Sequence, residues 1–295
     1  YLQLDDGYTA VYSHLDHFTP ELDNLVHALH QYYGQYTIDH SLSPNEYEFK
    51  KDDIVGYSGD TGGVSGPHLH FEIRNQNGQP INPFHRSLSI TDNQFPEADM
   101  LAVIPLDHKS QIDGFKEQKV YSLTKINNQK YILSDTIFVS GNIGFAIKVI
   151  DKIDNQYFNF GIYSANLLVD AAFIYSMQYD KINWENASNI YTERNYSLAR
   201  SGIGKFYHLF SHHGNHNLPF INSKSKSGYY FDQKVLHDAI IDVSDYANNK
   251  IEIHGIFVSD TLPFFNYEVE FKDNDCYIKF SEQDLVRPFF YLTDI

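Results

Sequence analysis

Residues 56–74 read GYSGDTGGVSGPHLHFEIR, and the rest of the chain takes its meaning from the two histidines near their C-terminal end. Alternation after Pro67 puts His68, His70 and Glu72 on one face of a strand and Leu69, Phe71 and Ile73 on the other. That is the pattern of a half-buried strand with chemistry on its open side. At a rise of about 3.3 Å per residue the two imidazoles stand roughly 6–7 Å apart at their α-carbons, a spacing that suits one metal ligand and one neighbour acting on the same reacting centre. Ser65-Gly66-Pro67 and the glycines before it supply the tight turns and close backbone approach of a cleft floor. A His-x-His on a strand with nothing around it is more often surface decoration than a zinc site, so its flanks decide.

Upstream, residues 1–18 (YLQLDDGYTAVYSHLDHF) predict a hairpin that turns at Asp5-Asp6-Gly7 and returns over Tyr8–His14, with Tyr8, Ala10, Tyr12 and His14 on one face. After Thr19-Pro20, Leu22, Leu25, Val26 and Leu29 recur at helical spacing and predict one short amphipathic helix. His27 and His30 sit three apart on it; solvent-facing helix histidines are far commoner than metal pairs. Residues 49–57 turn into a strand. Downstream, Asn75–Gly78 is a turn and Pro80-Ile81-Asn82-Pro83 closes the unit. These boundaries give a first domain over 1–88, with a helical insertion at about 19–48, and a polar linker over 89–98. The insertion reads as a tolerated surface loop, with a wall of a substrate groove as the alternative.

From residue 99 to 258 short β-rich runs alternate with polar turns, which predicts a β-sandwich of immunoglobulin type interrupted by a long excursion at about 180–233. Residues 259–295 hold one or two further strands of unassigned membership. A second histidine cluster, His208, His212, His213 and His216, reads as surface or adventitious metal because Gly214-Asn215 argues for loop and no acid stands beside it. Asp242 and Asp245 beside Asn248 and Asn249 read as turn chemistry, Asp60 as part of a turn, and Glu72 as a residue supporting its neighbours. The tyrosines of the sandwich read as packing.

Composition narrows the class. With 295 residues, 42% hydrophobic and 20% charged, the chain can build a core and has room for two domains. A net charge of −16 argues against nucleic acid or an anionic membrane as partner. The lone cysteine, Cys276, excludes an intrachain disulfide framework and a multi-cysteine zinc site. No run of about 18 apolar residues would span a bilayer, and no signal peptide is visible. The abundance of Tyr and Phe with recurrent alternation predicts a mainly β protein.

Two segments, Tyr8-Thr9-Ala10-Val11-Tyr12-Ser13-His14-Leu15 and Gly59–Glu72, together resemble the lysostaphin-type (LytM-like) zinc metallopeptidases that cleave bacterial cell-wall peptides. The resemblance covers about the first 85 residues. It implies an antiparallel β peptidase domain (a duplicated hybrid motif), here partial and followed by the immunoglobulin-like sandwich. It also implies zinc as cofactor, peptidoglycan cross-link peptides as substrate and an extracytoplasmic, periplasmic or secreted, envelope location. His70 would be the zinc ligand; His14 and His68 would orient the attacking water and stabilise the tetrahedral intermediate. The family's His-x-x-x-Asp motif, which supplies the other two ligands, is absent, and His17-Phe18-Thr19-Pro20-Glu21 has the wrong acid in the wrong place. Either the chain is an N-terminally truncated fragment, favoured because all three histidines are present and Tyr1 reads as mid-strand, or it is a degenerate relative. The first reading makes the complete protein a zinc endopeptidase and these residues inactive alone. The second makes a non-catalytic peptidoglycan-binding or hydrolase-activating module, with a structural adhesion domain as a third reading.

Overall fold

The computed structural model describes residues 1–86, 88–222, 224–231 and 235–259, with the backbone of strands Tyr267–Lys272 and Asp275–Phe280. The chain divides into two compact units, Tyr1–Ser87 and Leu88–Ile295. Strands take 41% of the residues and helix 13%, the mainly β class expected. No helix among the described residues is long and apolar enough to cross a membrane.

In the first unit β1 (Leu2–Gln3) and β2 (Thr9–Ser13) form the hairpin read from the sequence, with Gly7 at φ +82 in its turn. Strand β3 (Leu15–Phe18) follows, then helix α1 (Pro20–Tyr33), which begins with Pro at its first turn and ends on Gly34 at φ +65. No residue of α1 is fully buried, and Leu22, Leu25, Val26 and Leu29 of its apolar stripe are partly buried. β4 (Gly56–Ser58), β5 (His70–Arg74) and β6 (Pro80–Ile81) complete the unit. The main sheet runs β1-β2-β5-β6, and β3 pairs with β4 separately. Its small core is Ala10, Val11 and Ile73, each under 5% exposed. Ile73 and Phe71 lie on the covered side as the alternation predicts, whereas Leu69 is exposed because the strand begins only at His70.

In the second unit β7 (Glu97–Pro105) starts within the stretch read as linker. β8 (Gln111–Ile112), β9 (Lys119–Asn127), β10 (Lys130–Leu133), β11 (Ile137–Ile150), β12 (Ser164–Val169) and β13 (Ala172–Gln178) follow. The polar excursion then contributes helix α2 (Tyr196–Arg200), β14 (Tyr207–His208) and β15 (Tyr229–Phe231), both strands hydrogen-bonded to β11. β16 (Leu236–Ser244) and β17 (Lys250–Ser259) form a hairpin that alternates buried and exposed along most of its length. Beyond them Tyr267–Lys272 and Asp275–Phe280 pair antiparallel with each other.

The topology differs from the immunoglobulin-like arrangement, which is built of antiparallel sheets. Strands β7–β17 form one hydrogen-bonded array of eleven, and β17 pairs in parallel with both β10 and β11. β11 explains how. Its first residues, Ile137–Val139, run beside β17, while Ile143–Ile150 run antiparallel to β7. Between them Gly141 takes φ +78, and a Cβ there would lie 2.6 Å from Ser110 Oγ and 2.9 Å from Ser110 Cα. The strand changes partner where only glycine fits. One face of its second half contributes Phe145, Ile147 and Val149 to the main core; the other packs Ala146 with Ala102, Leu198 of α2 and Phe206. The excursion is therefore the cover of the second face of β7 and β11. Alternation says which residues point inward, but not which strands pair or run parallel.

Candidate active site

Three histidines from two separate segments meet in the first unit. β2 pairs with β5 so that Ser13 faces His70, which puts His14 one residue beyond the end of the ladder. His14 itself takes φ +64, a left-handed conformation uncommon outside glycine. It is the kink between β2 and β3, and the kink turns the imidazole toward the second segment. His14 and His68 rings lie 4.8 Å apart at their centroids, His14 and His70 5.9 Å. The structure brings these three imidazoles together.

Backbone geometry makes this meeting possible. Gly59 donates its N–H to the His14 carbonyl (2.7 Å) and accepts the His68 N–H at its own carbonyl (3.0 Å). One residue thus staples both histidines. A Cβ on Gly59 would lie 2.6–2.8 Å from Cβ, N and Cα of Asp16, so the close approach requires glycine. His68 lies outside β5, joined to Gly59 by an isolated antiparallel bridge, rather than on one continuous strand with His70.

Each ring has one nitrogen committed. His14 Nδ1 is 2.8 Å from the Thr61 carbonyl and His68 Nδ1 is 2.9 Å from the Gly66 carbonyl. Carbonyl oxygens only accept, so both Nδ1 atoms carry hydrogen and each ring offers Nε2 as its free lone pair when neutral. The Thr61 hydroxyl donates to the Leu15 carbonyl at 2.8 Å, which fixes the loop that holds His14. His70 is arranged the other way: its Nε2 is 2.6 Å from Glu72 Oε1, leaving Nδ1 available. Glu72 also accepts from Arg74 Nε at 2.7 Å. Burial raises the Glu72 carboxyl pKa, but the hydrogen bonds from Arg74 and His70 outweigh it, and the net shift is downward. Glu72 is therefore a carboxylate near neutral pH. Sequence reading named the histidines and gave the glycine-rich run, Gly66 included, the close backbone approach it makes, but missed the individual parts of Gly59 and Thr61, which act through backbone atoms.

A carboxylate behind an imidazole is how metal-ligating histidines are commonly held, and His70 fits that role. The trio as a whole does not make a closed zinc site. Among the described residues, the only three His, Cys, Asp or Glu side chains with donor atoms mutually within 4.8 Å are Asp92, Asp151 and Asp245 of the second unit. The histidine cluster presents Nδ1 of His70 and Nε2 of His14 and His68 as the ring nitrogens not engaged by the acceptors named above. The other histidines do not join it. His27 and His30 lie on α1 with rings 6.4 Å apart. In the second unit His208 lies on β14, and His208 Nδ1 and His212 Nε2 both donate to the Thr192 carbonyl, at 3.1 and 2.9 Å. Their hydrogen bonds tie down the excursion.

Comparison with known proteins points the same way. The DD-carboxypeptidase/endopeptidase Mpg of Neisseria meningitidis serogroup B is 37% identical over 62 residues, which is 21% of this chain and 14% of that protein. Its counterpart in Neisseria gonorrhoeae is 42% identical over 50 residues, 17% of this chain and 11% of that protein. The alignments thus span less than a sixth of the length of these curated relatives. No solved structure matches the chain. His68 and His70 fall inside the stretch that matches a peptidase family, and His14 precedes it. Residues 21–83 of this chain match Peptidase family M23, the LytM-type peptidases.

Proposed function

We propose that the first unit contributes the His-x-His side of a zinc endopeptidase acting on peptidoglycan cross-link peptides in the bacterial envelope, outside the cytoplasm. The observation that carries this reading is the convergence of His14, His68 and His70, with each ring's outward nitrogen set by a named acceptor. His70 would hold the metal through Nδ1, with Glu72 behind it. Zinc, completed by two donors from beyond this cluster, would polarise the scissile carbonyl and acidify a bound water.

The chain's own residues account for proton movement. Nε2 of His14 or His68 can take a proton from the attacking water and return it to the leaving amine, since each Nδ1–H stays on its carbonyl throughout. In the protonated state either imidazolium can donate to the developing oxyanion. His68 and His70 are solvent-exposed, so an extended peptide can reach them. Because the cluster supplies a single ligand, these residues by themselves are expected to hold no stoichiometric zinc and to be inactive. The incomplete ligand set also favours a second reading, a non-catalytic peptidoglycan-binding or hydrolase-activating module.

The test is incubation of the protein, produced with all its encoded residues, with peptidoglycan. The endopeptidase reading expects release of cross-link peptides that chelator stops, loss of release in His70→Ala, and a fall of roughly 10²–10⁴-fold in His14→Ala or His68→Ala. Retention on peptidoglycan without cleavage would establish the binding module instead.

A further inference from the structure

Three carboxylates meet at one end of the second unit. Asp92 precedes β7, Asp151 directly follows β11, and Asp245 opens the turn between β16 and β17. Each offers an oxygen within 4.8 Å of the others. Asp151 and Asp245 are 5% and 2% exposed. An acidic cluster alone signifies little, but Asp151 Oδ1 is buried and accepts no hydrogen bond. A buried carboxylate oxygen without a partner, on a residue clustered with two further carboxylates, is a costly arrangement in need of a counter-charge.

The surroundings hold the trio rather than neutralise it. Asn249 donates its backbone N–H to Asp245 Oδ1 (2.8 Å) and its side-chain amide to Asp245 Oδ2 (2.6 Å) and to the Asp92 carbonyl (3.2 Å). Asp151 is fixed by a double backbone pairing with Phe160, at 3.0 and 2.8 Å. Nearby, Asn93 donates to Asp154 at 2.8 Å, tying the same two segments together. Lys152, next in sequence to Asp151, turns its ammonium to Glu97 at 3.0 Å.

We propose that Asp92, Asp151 and Asp245 form a calcium site that pins the far ends of β11 and β16 to the segment entering β7. The donor set is all oxygen, with no imidazole or thiolate to attract zinc or copper. Calcium binds oxygens at about 2.3–2.6 Å, so two ligands on opposite sides of it stand up to about 5 Å apart, which the spacing here meets. Magnesium demands near-octahedral geometry at about 2.0–2.1 Å and keeps several waters, which suits two nearly buried carboxylates poorly.

Thermal unfolding of the whole chain tests this, with chelator removed before calcium chloride or magnesium chloride is added back. Calcium at about a hundred times its dissociation constant is expected to raise the melting temperature by roughly 5–10 °C, and titration calorimetry to give one calcium per chain. Asp151→Asn should abolish the shift and melt no lower than the calcium-free parent, since it removes one member of the repelling trio. If Asp151→Asn does not fold, Asp92→Asn at the more exposed corner takes its place. A parent melting temperature unmoved by calcium, an equal shift with magnesium, or a full calcium shift retained in the folded variant would overturn the proposal; the first of these would mean that the trio is stabilised by shared protons.

Discussion

Replacing Gly141 by alanine should destabilise the second unit by about 3–6 kcal/mol. Three effects add. Holding alanine at φ +78 costs about 1–2 kcal/mol. The new Cβ would stand 2.9 Å from Ser110 Cα, a backbone atom that cannot rotate away, and such overpacking costs about 1–3 kcal/mol. Ser110 is fully buried and its Oγ accepts the Asn142 N–H at 2.8 Å; pushing that hydroxyl aside puts a further bond worth about 1 kcal/mol at risk. Gly202 supplies the control. It has nearly the same backbone, φ +80, but nothing within 4 Å of its would-be Cβ, so Gly202→Ala should lose only about 1–2 kcal/mol. Urea unfolding at 25 °C, followed by fluorescence of Trp184, the chain's single tryptophan, reports the second unit without interference from the first. If Gly141→Ala unfolds within about 1 kcal/mol of Gly202→Ala, the steric account of the strand crossover is wrong.

Other consequences can be measured in parallel. Burial, with a smaller push from His212 and against the Thr192 carbonyl bond, lowers His208 to about 4. Below about pH 6.5 the unfolded chain therefore carries a proton there that the folded chain does not, so stability falls with acidification. The loss runs between about pH 6.5 and 4 and totals roughly 3 kcal/mol; His208→Gln should flatten the upper part of that slope in urea titrations, and an unchanged slope counts against it. Gly59→Ala should cut peptide release about as deeply as His14→Ala while β2 and β5 still pair, because it parts the two histidines without touching either ring; undiminished release would refute the staple. Leu198→Ala, which uncovers the outer face of β7 and β11, should cost about 2–5 kcal/mol, again read by Trp184.

The legible parts of this protein were those that local pattern controls. Asp5-Asp6-Gly7 announced the hairpin, Thr19-Pro20 the start of α1, and the alternation in β16 and β17 their half-buried faces. His14, His68 and His70 were legible as a candidate site because their residue types and flanking glycines are unusual together. Long-range facts were hidden. Nothing near Lys250 says that β17 will run parallel to β10 and β11, and nothing near Asp245 says that Asp92 and Asp151 will join it. The Asp245–Asn249 segment was read as a turn, and a turn it is; its proposed second role depends on segments far away in sequence. The tautomers of the histidines were equally invisible, being set by carbonyls of Thr61 and Gly66 that any residue type could present.

The pairing of Phe18 with Gly56 at the end of β3 and β4 has a further consequence for how this unit can vary. Residues 19–55, α1 among them, leave and return at one clamped point. Their ends are already held together, so doubling their length would cost only about 0.6 kcal/mol of closure entropy. Insertions, deletions or whole exchanged segments can be accepted there while Gly59 and the three imidazoles keep their places. Relatives of this unit are free to acquire a different reach at that hinge point without rebuilding the histidine cluster, and the same position is where a designer would splice a new recognition element.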